Sequence, residues 1–159
     1  MEARIESTRE KKLVGIRMKM SLTKNMTREL WHSFMVRKSG IRNTVGSDLY
    51  SMQVYDPLYF TGFDPTAEFE KWAAIEVTDF DSIPEKMESF TLPEGLYAVF
   101  VHKGAASAGP VTFQFIFGTW LPGSEYDLDD RPHFELLGDN YRNDDPDSEE
   151  EIWIPVKKQ

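Results

Sequence analysis

Hydrophobic and polar residues alternate along several short stretches of the chain, and the clearest stretch runs from Phe69 to Val77. Successive side chains of a β-strand point to opposite faces of a sheet, so this spacing predicts a strand with two different faces. One face carries Phe69, Lys71, Ala73, Ile75 and Val77, and the other carries Glu70, Trp72, Ala74 and Glu76. Further strands are predicted within 3–18 and at 49–55, 90–92, 96–102, 133–137 and 152–156.

Two other segments have helical spacing. The first follows Thr27, a predicted N-cap, ends by Gly40, and has apolar positions at Leu30, Trp31, Phe34 and Met35. The second begins at Pro110, whose missing N–H is tolerated in a first helical turn, ends at Pro122-Gly123, and has apolar positions at Phe113, Phe117 and Trp120. Because Phe115 and Ile116 widen the apolar arc of this second segment, a strand remains an alternative there.

The order of these elements is the same in the two halves of the chain, about residues 3–78 and 83–157: strand, helix, strand, strand. The closing strands, 71–77 and 150–156, also resemble each other. We therefore predict an internal duplication and an α+β fold, in which one antiparallel sheet carries a helix from each half on the same face.

Alternation along the last strand predicts where a ligand site would lie. Ile152, Ile154 and Val156 would pack against the helices, while Glu151 and Trp153 share the opposite face. Trp72 takes the equivalent place in the first half. Aromatic rings beside a carboxylate favour amphipathic cations, through apolar contact and cation–π attraction. The alternative is that Trp72, Trp120 and Trp153 are ordinary core residues and the acids form a solvated rim.

Composition narrows the class of protein. A chain of 159 residues with 40% hydrophobic residues fits a single domain over residues 1–159. There is no cysteine, which excludes disulfides and thiolate chemistry and is compatible with the cytoplasm, where we expect the protein. The net charge of −9 argues against direct DNA binding. No apolar run is long enough to cross a bilayer, so no membrane association is expected.

Motifs for metal, nucleotide or serine chemistry are missing from the sequence. The three histidines are widely separated, and the one Glu-x-x-His pair, Glu29 with His32, has no second pair to complete a metal site. The acidic segment 139–151 lacks the central glycine of a calcium loop and is interpreted as a solvated loop. Glycine-rich phosphate-binding motifs and the Gly-x-Ser-x-Gly motif are also absent. We therefore predict no metal and no cofactor.

Five segments, in this order, resemble the GyrI-like small-molecule-binding family, also called the AraC-type effector-binding domain: Phe69–Val77, Leu96–Phe100 with His102-Lys103-Gly104, Trp120-Leu121-Pro122, Arg131–Glu135 and Glu151–Val156. The resemblance implies paired strand-helix-strand-strand units, with two helices on one face of the sheet and a ligand cleft on the other. It also implies a hydrophobic and often cationic ligand, with Glu151 as the buried counter-charge and Trp120 and Tyr97 as pocket walls. With Trp153 and Trp72, these are the predicted ligand-binding residues.

No helix-turn-helix precedes Arg4, so the chain is expected to be the effector domain standing alone, acting in regulation or sequestration. Two alternatives remain at this point. A carboxylate in an apolar pocket can act as a general base, so Glu151 with Tyr97 could serve a small hydrolase. The domain could also bind a partner protein as an adaptor or inhibitor. Since a fold does not fix a function, we favour binding over catalysis.

Overall fold

The computed structural model describes residues 2–142 and 145–159, so residues 143 and 144 of the predicted acidic loop lie outside the described residues. The described ranges contain nine β-strands: β1 Arg4–Thr8, β2 Lys11–Met20, β3 Thr44–Val54, β4 Phe69–Val77, β5 Glu88–Leu92, β6 Gly95–Lys103, β7 Tyr126–Leu128, β8 His133–Leu137 and β9 Glu149–Lys158. Each predicted segment forms a strand, except that the single strand predicted within 3–18 is two strands, β1 and β2. The short β7 was not predicted, since three residues carry too little pattern.

Helix α1 spans Thr27–Arg37 and continues into a 3₁₀ turn that ends at Gly40, which confirms the predicted end. The prediction that Thr27 caps this helix is wrong. Thr27 is the first helical residue, and its N–H donates to Oδ1 of Asn25 at 3.0 Å. The N-cap residue is Met26, which makes no side-chain capping hydrogen bond, and Asn25 lies one residue before it.

Helix α2 spans Gly109–Phe115, with Pro110 in its first turn. It continues as a π-helical turn, Ile116–Trp120, and ends as α3, Leu121–Gly123. The segment is therefore helical, and the strand alternative is wrong. No helix in the described part of the chain is long and apolar enough to span a membrane.

The strands form one antiparallel sheet in the order β1-β6-β9-β8-β3-β4-β2-β5, and β7 pairs separately with β9. The first half of the chain supplies β2, β3 and β4, and the second supplies β6, β8 and β9. The two halves meet where β3 pairs with β8, from Leu49 opposite Leu137 to Gln53 opposite His133. An origin by duplication stays a prediction.

The first and last strands of this order belong to one continuous two-stranded ribbon. Arg4 lies opposite Val99, Thr8 opposite Gly95, and the same register resumes with Lys11 opposite Leu92. We call this ribbon, residues 4–15 paired with 88–99, the closing ribbon. Because it joins both ends of the sheet, it curls the sheet into a half-barrel.

The curled sheet has a helix-bearing face and an inner face. On the helix-bearing face, Leu30 and Phe34 of α1 are fully buried, and Ile116 is buried at the end of α2. Each such side chain contributes roughly 1.5–3 kcal/mol by leaving water. The residues of β4 and β9 that were predicted to face the helices do so: Ala73, Ile75, Val77, Ile152, Ile154 and Val156. The inner face is filled by a cluster that includes Tyr50, Met52, Trp72, Tyr97, Phe134 and Trp153.

Candidate functional site

The central strands of the sheet lie between the two helices. Helix α1 contacts β2 and β4, whereas Ile116, which follows α2, packs with residues of β6 and β9. Strands β3 and β8 lie between these two pairs in the sheet. The two helices therefore lie on either side of a strip of sheet made by β3, β8 and the adjoining positions of β4 and β9, and we call the space over this strip the crevice.

The floor of this crevice is polar, although it lies on the face that packs against helices. Register places six polar residues there, which we call the polar floor: Ser51, Gln53, Lys71, His133, Glu135 and Glu150. Polar groups are usually placed on such a face only where they meet partners, water or a ligand. The polar floor therefore marks the crevice as a candidate site.

Glu135 is the central charge of the polar floor. It lies deep in the protein yet keeps part of its surface open to solvent. In the described part of the chain, its carboxylate accepts no hydrogen bond and has no ion-pair partner within 4.0 Å. Burial raises the pKa of Glu135, and the charges of Lys71 and His102 oppose the rise. An acidic group in this setting gains from any cation that enters the crevice.

Two further ionisable groups adjoin Glu135. Glu150 is only 8% exposed, and its burial, reinforced by the charge of Glu135 and opposed by Lys71, raises its pKa to about 7. Burial lowers the pKa of Lys71, and the negative charges of Glu135 and Glu150 act in the opposite direction. The three groups are therefore coupled through one poorly solvated space.

Aromatic rings border one end of the polar floor. We call Tyr55, Tyr59, Phe60, Phe69 and Phe117 the aromatic wall. The ring of Phe60 stacks on that of His133, with centroids 5.3 Å apart, and on that of Phe117, at 5.5 Å. Tyr55 contacts Tyr59 at 4.6 Å and His133 at 4.9 Å. A cavity of about 80 Å³ lies beside these rings, lined in part by Tyr55, Phe60 and His133.

His133 joins the aromatic wall to the polar floor. Burial, together with the positive charge of Arg131, lowers the pKa of His133 to about 3. The imidazole is therefore neutral at physiological pH and acts as an aromatic surface with no charge of its own. Phe60 belongs to a short 3₁₀ turn, Tyr59–Thr61, and is 43% exposed. Stacked rings beside unpaired carboxylates can hold a flat or aryl-bearing cation.

The sequence-predicted counter-charge, Glu151, lies on the other face of the sheet. Its Oε2 accepts a hydrogen bond from Nη2 of Arg4 at 3.1 Å, and its Oε1 accepts one from Nε1 of Trp153 at 3.1 Å. Its side chain is 31% exposed. A matching arrangement exists in the first half, where Glu70 accepts from Trp72 at 2.7 Å and from Arg17 at 2.8 Å. Both carboxylates are thus already paired.

Tyr97 and Trp153 do lie together on the inner face, with ring centroids 5.8 Å apart, and Trp72 belongs to the same cluster. Tyr97 and Glu151 are not neighbours. Tyr97 lies opposite Pro155 and Glu151 opposite Val101, four residues further along β6, so their backbones are about 13 Å apart. The Tyr97 hydroxyl, whose pKa burial raises to about 12, donates to the Pro132 carbonyl at 3.0 Å.

Trp120 lies apart from the other four predicted residues. It packs on the helix-bearing side, with its ring 5.1 Å from that of Phe100 and stacked 6.3 Å from that of Tyr126. The structure therefore groups Trp72, Tyr97 and Trp153 on the inner face with Glu151 at their edge, and leaves Trp120 in the helical layer.

Glu135, Glu150 and Lys71 were missed as site residues. Glu135 belongs to one of the segments that carry the family resemblance, but no role was assigned to it. A signal for all three was present in the sequence. Each occupies a helix-facing position of its strand, as Lys71 does between Phe69 and Ala73, where alternation predicts an apolar residue. A charged residue at a core position indicates a functional site or a structural ion pair.

An antiparallel sheet with two helices beside a polar, aromatic-bordered crevice is the architecture of a small-molecule-binding domain. The chain belongs to the GyrI-like family: the profile of the GyrI-like small molecule binding domain matches residues 1–157. The structure, like the sequence, is thus that of an effector-binding domain of this family.

Individual relatives agree with this assignment. The transcriptional regulator BrlR of Pseudomonas aeruginosa is 29% identical over 160 residues, which cover 98% of this chain and 56% of BrlR. The structure of SAV2435 bound to tetraphenylphosphonium superposes with a TM-score of 0.77 at 19% identity, covering 99% of this chain and 94% of that one. The C-terminal domain of EcmrR gives 0.72 at 17% identity, covering 99% and 98%. These two likenesses establish the fold.

Proposed function

We propose that this chain binds hydrophobic cations in the crevice between α1 and α2, with Glu135 as the counter-charge. The observation that carries the proposal is the Glu135 carboxylate, deep in the protein and without a hydrogen bond or ion pair in the described ranges. A carboxylate held in this way is costly in the empty protein and is relieved when a cation arrives.

The aromatic wall supplies the second half of the recognition. Each ring that contacts a cation contributes about 0.5–2 kcal/mol, depending on how much water is excluded. A neutral ligand of the same shape gains the apolar contact but leaves Glu135 unpaired. The site therefore selects for charge as well as for aromatic area. The ligand bound to SAV2435, tetraphenylphosphonium, has both properties and supports the proposal by analogy.

Phe60 limits access to this site. Its ring packs beside those of His133 and Phe117, whose own centroids lie 6.2 Å apart, and it is carried by a short turn and not by the sheet. A ligand ring could take its place against the same two neighbours once the turn moves outward. We therefore expect the 3₁₀ turn, Tyr59–Thr61, to be the part of the site that rearranges when a ligand binds.

We further propose a regulatory or sequestering role in the cytoplasm. The chain spans 56% of the length of BrlR, a transcriptional regulator, and matches the C-terminal domain of EcmrR. A domain of this kind can report a ligand to an attached or separate partner, or simply lower the free concentration of a toxic cation. The structure gives no preference to the hydrolase alternative, because Tyr97 and Glu151 do not meet.

The test compares two carboxylates on opposite faces. Tetraphenylphosphonium and the neutral triphenylphosphine oxide are titrated by calorimetry into the wild type, Glu135→Gln and the matched control Glu151→Gln. Glu135→Gln should weaken the phosphonium by about ten-fold or more, which corresponds to at least about 1.4 kcal/mol. It should change the neutral ligand much less, and Glu151→Gln should leave both affinities close to wild type.

Two results would contradict the proposal. If Glu151→Gln, and not Glu135→Gln, weakens the phosphonium, the ligand lies on the inner face beside Trp153. If the wild-type chain binds no hydrophobic cation at all, cation binding is not its function.

A further inference from the structure

Lys71 is a cation built into the acidic crevice. It lies on β4, opposite Gln53 of β3 and Met18 of β2, and on the face that the helices cover. Its Nζ donates a hydrogen bond to Oγ1 of Thr27, the first residue of α1, at 3.1 Å. The N-terminus of a helix is the positive end of its dipole, so a lysine there does not stabilise α1. The groups that favour its charge are the carboxylates of the crevice.

Those carboxylates interact with Lys71 without touching it. Glu135 and Glu150 both favour its charged form. Yet in the described ranges no carboxylate oxygen lies within 4.0 Å of Nζ. In a buried structural ion pair the ammonium and carboxylate would be in contact, because the contact offsets the cost of removing both charges from water. Lys71 and the two carboxylates are therefore not held in contact ion pairs, so their charges remain able to interact with a further charged group.

The number of charges in the crevice then determines which ligand fits it. Among the described residues, the polar floor holds two acidic groups, Glu135 and Glu150, and one basic group, Lys71. His133 is buried and neutral. When both carboxylates are ionised, one negative charge is therefore in excess. A singly charged ligand balances this excess, whereas a doubly charged one leaves a positive charge in a poorly solvated space.

We infer that Lys71 is a specificity-determining residue, which sets the crevice to accept singly charged hydrophobic cations in preference to doubly charged ones. The inference rests on the proposed function and adds the charge of the ligand to it. The ammonium of Lys71 neutralises part of the negative potential of the two carboxylates, so less of it is left to attract a second positive charge on the ligand. Removing its ammonium frees that potential and raises the affinity for cations, most of all for dications.

The test uses ethidium and propidium, two dyes that share a phenanthridinium ring system and carry one and two positive charges. Both are titrated by fluorescence into the wild type, Lys71→Met, Lys71→Gln and Lys71→Arg. Lys71→Met should bind ethidium at least about three-fold and propidium at least about 30-fold more tightly than wild type. The ratio of the two affinities therefore shifts toward propidium by about ten-fold. Lys71→Arg keeps the charge and should keep the wild-type ratio.

Lys11→Met is the matched control, because Lys11 is also half-buried and hydrogen-bonded, to the Tyr50 hydroxyl at 3.2 Å, but is placed on the inner face. It should leave the ratio unchanged. Thermal unfolding checks that each variant is folded, and Lys71→Gln gives the same readout if Lys71→Met does not fold. If the wild type binds the dyes and neutral Lys71 variants keep the wild-type ratio, this inference is wrong while the proposed function stands. If the wild type binds neither dye, the proposed function itself is contradicted.

Discussion

Ionisation of Glu150 as the pH rises is expected to lower the stability of the empty protein and to raise its affinity for a cation. In the unfolded chain this side chain has its ordinary pKa of 4.5, whereas burial raises the pKa of Glu150 to about 7 in the folded protein. Between these values the folded protein holds a proton that the unfolded chain has released. Raising the pH therefore favours unfolding, and the free energy of unfolding falls from about pH 4.5 to about pH 7.

The size of the effect follows from the same two values. Each tenfold difference in acidity corresponds to about 1.4 kcal/mol, so Glu150 lowers the free energy of unfolding by roughly 3 kcal/mol across this interval. The groups that face it are Glu135, Lys71 and His102, its cross-strand neighbour. A bound cation favours the ionised form of Glu150, whereas the empty protein favours the protonated form. Ionisation of Glu150 rises from about one tenth at pH 6 to about nine tenths at pH 8, so cation affinity should rise by up to about ten-fold.

Two measurements test this reasoning on the wild type and on Glu150→Gln. Urea unfolding between pH 4.5 and 8 should show the wild type losing stability relative to Glu150→Gln, which cannot ionise. Calorimetry with tetraphenylphosphonium in buffers of different ionisation enthalpy should show more proton release on binding near pH 7 for the wild type than for Glu150→Gln. The assigned role of Glu150 would be refuted by two results together. The stability difference between the two proteins would stay constant over this pH range, and the affinity for tetraphenylphosphonium would not depend on pH.

Two further outcomes are expected. Gly15→Ala should destabilise the fold by roughly 1–3 kcal/mol in urea unfolding, because a Cβ there meets the carbonyl oxygen of Ala73 on the paired strand; unchanged stability would mean that β2 and β4 can move apart. In fluorescence anisotropy at physiological salt, this chain should show no sequence-selective binding to duplex DNA, since its net charge is −9; submicromolar selective binding would show that a local basic surface overrides that charge.

The fold was largely predictable because the informative signals are local. Alternation in Phe69–Val77 predicts the bounds of β4 and both of its faces, since the two faces meet different cores. The second helix follows from Pro110 and from the spacing of Phe113 and Phe117. The closing ribbon could not be predicted, because it depends on pairing between residues as far apart as Arg4 and Val99. Alternation specifies which face a residue occupies but not which strand lies beside it.

The candidate site was less predictable for a related reason. Glu135 directly follows Phe134 and Glu151 lies two residues before Trp153, so a nearby aromatic residue does not distinguish the unpaired carboxylate from the paired one. The partner of Glu151 is Arg4, at the opposite end of the chain. Glu135 and Lys71 interact because β3 pairs with β8 on one side and with β4 on the other, which brings the two residues into the same part of the sheet. Charge pairing is a property of the assembled sheet, so it appears only once the strand order is known.

The closing ribbon also bears on how the chain reaches its native state. Each half lends an edge strand to the other, β1 to β6 and β5 to β2, so a half expressed alone would lack the strand that the other half lends it. The ribbon forms only after residues about 70 to 95 positions apart in the sequence have met, which places the chain among slow folders, on a scale of about milliseconds to seconds. At high concentration during refolding, two chains could satisfy the same pairing by lending β1 to each other. Strand-exchanged dimers are therefore the misassembly to look for in preparations refolded from denaturant.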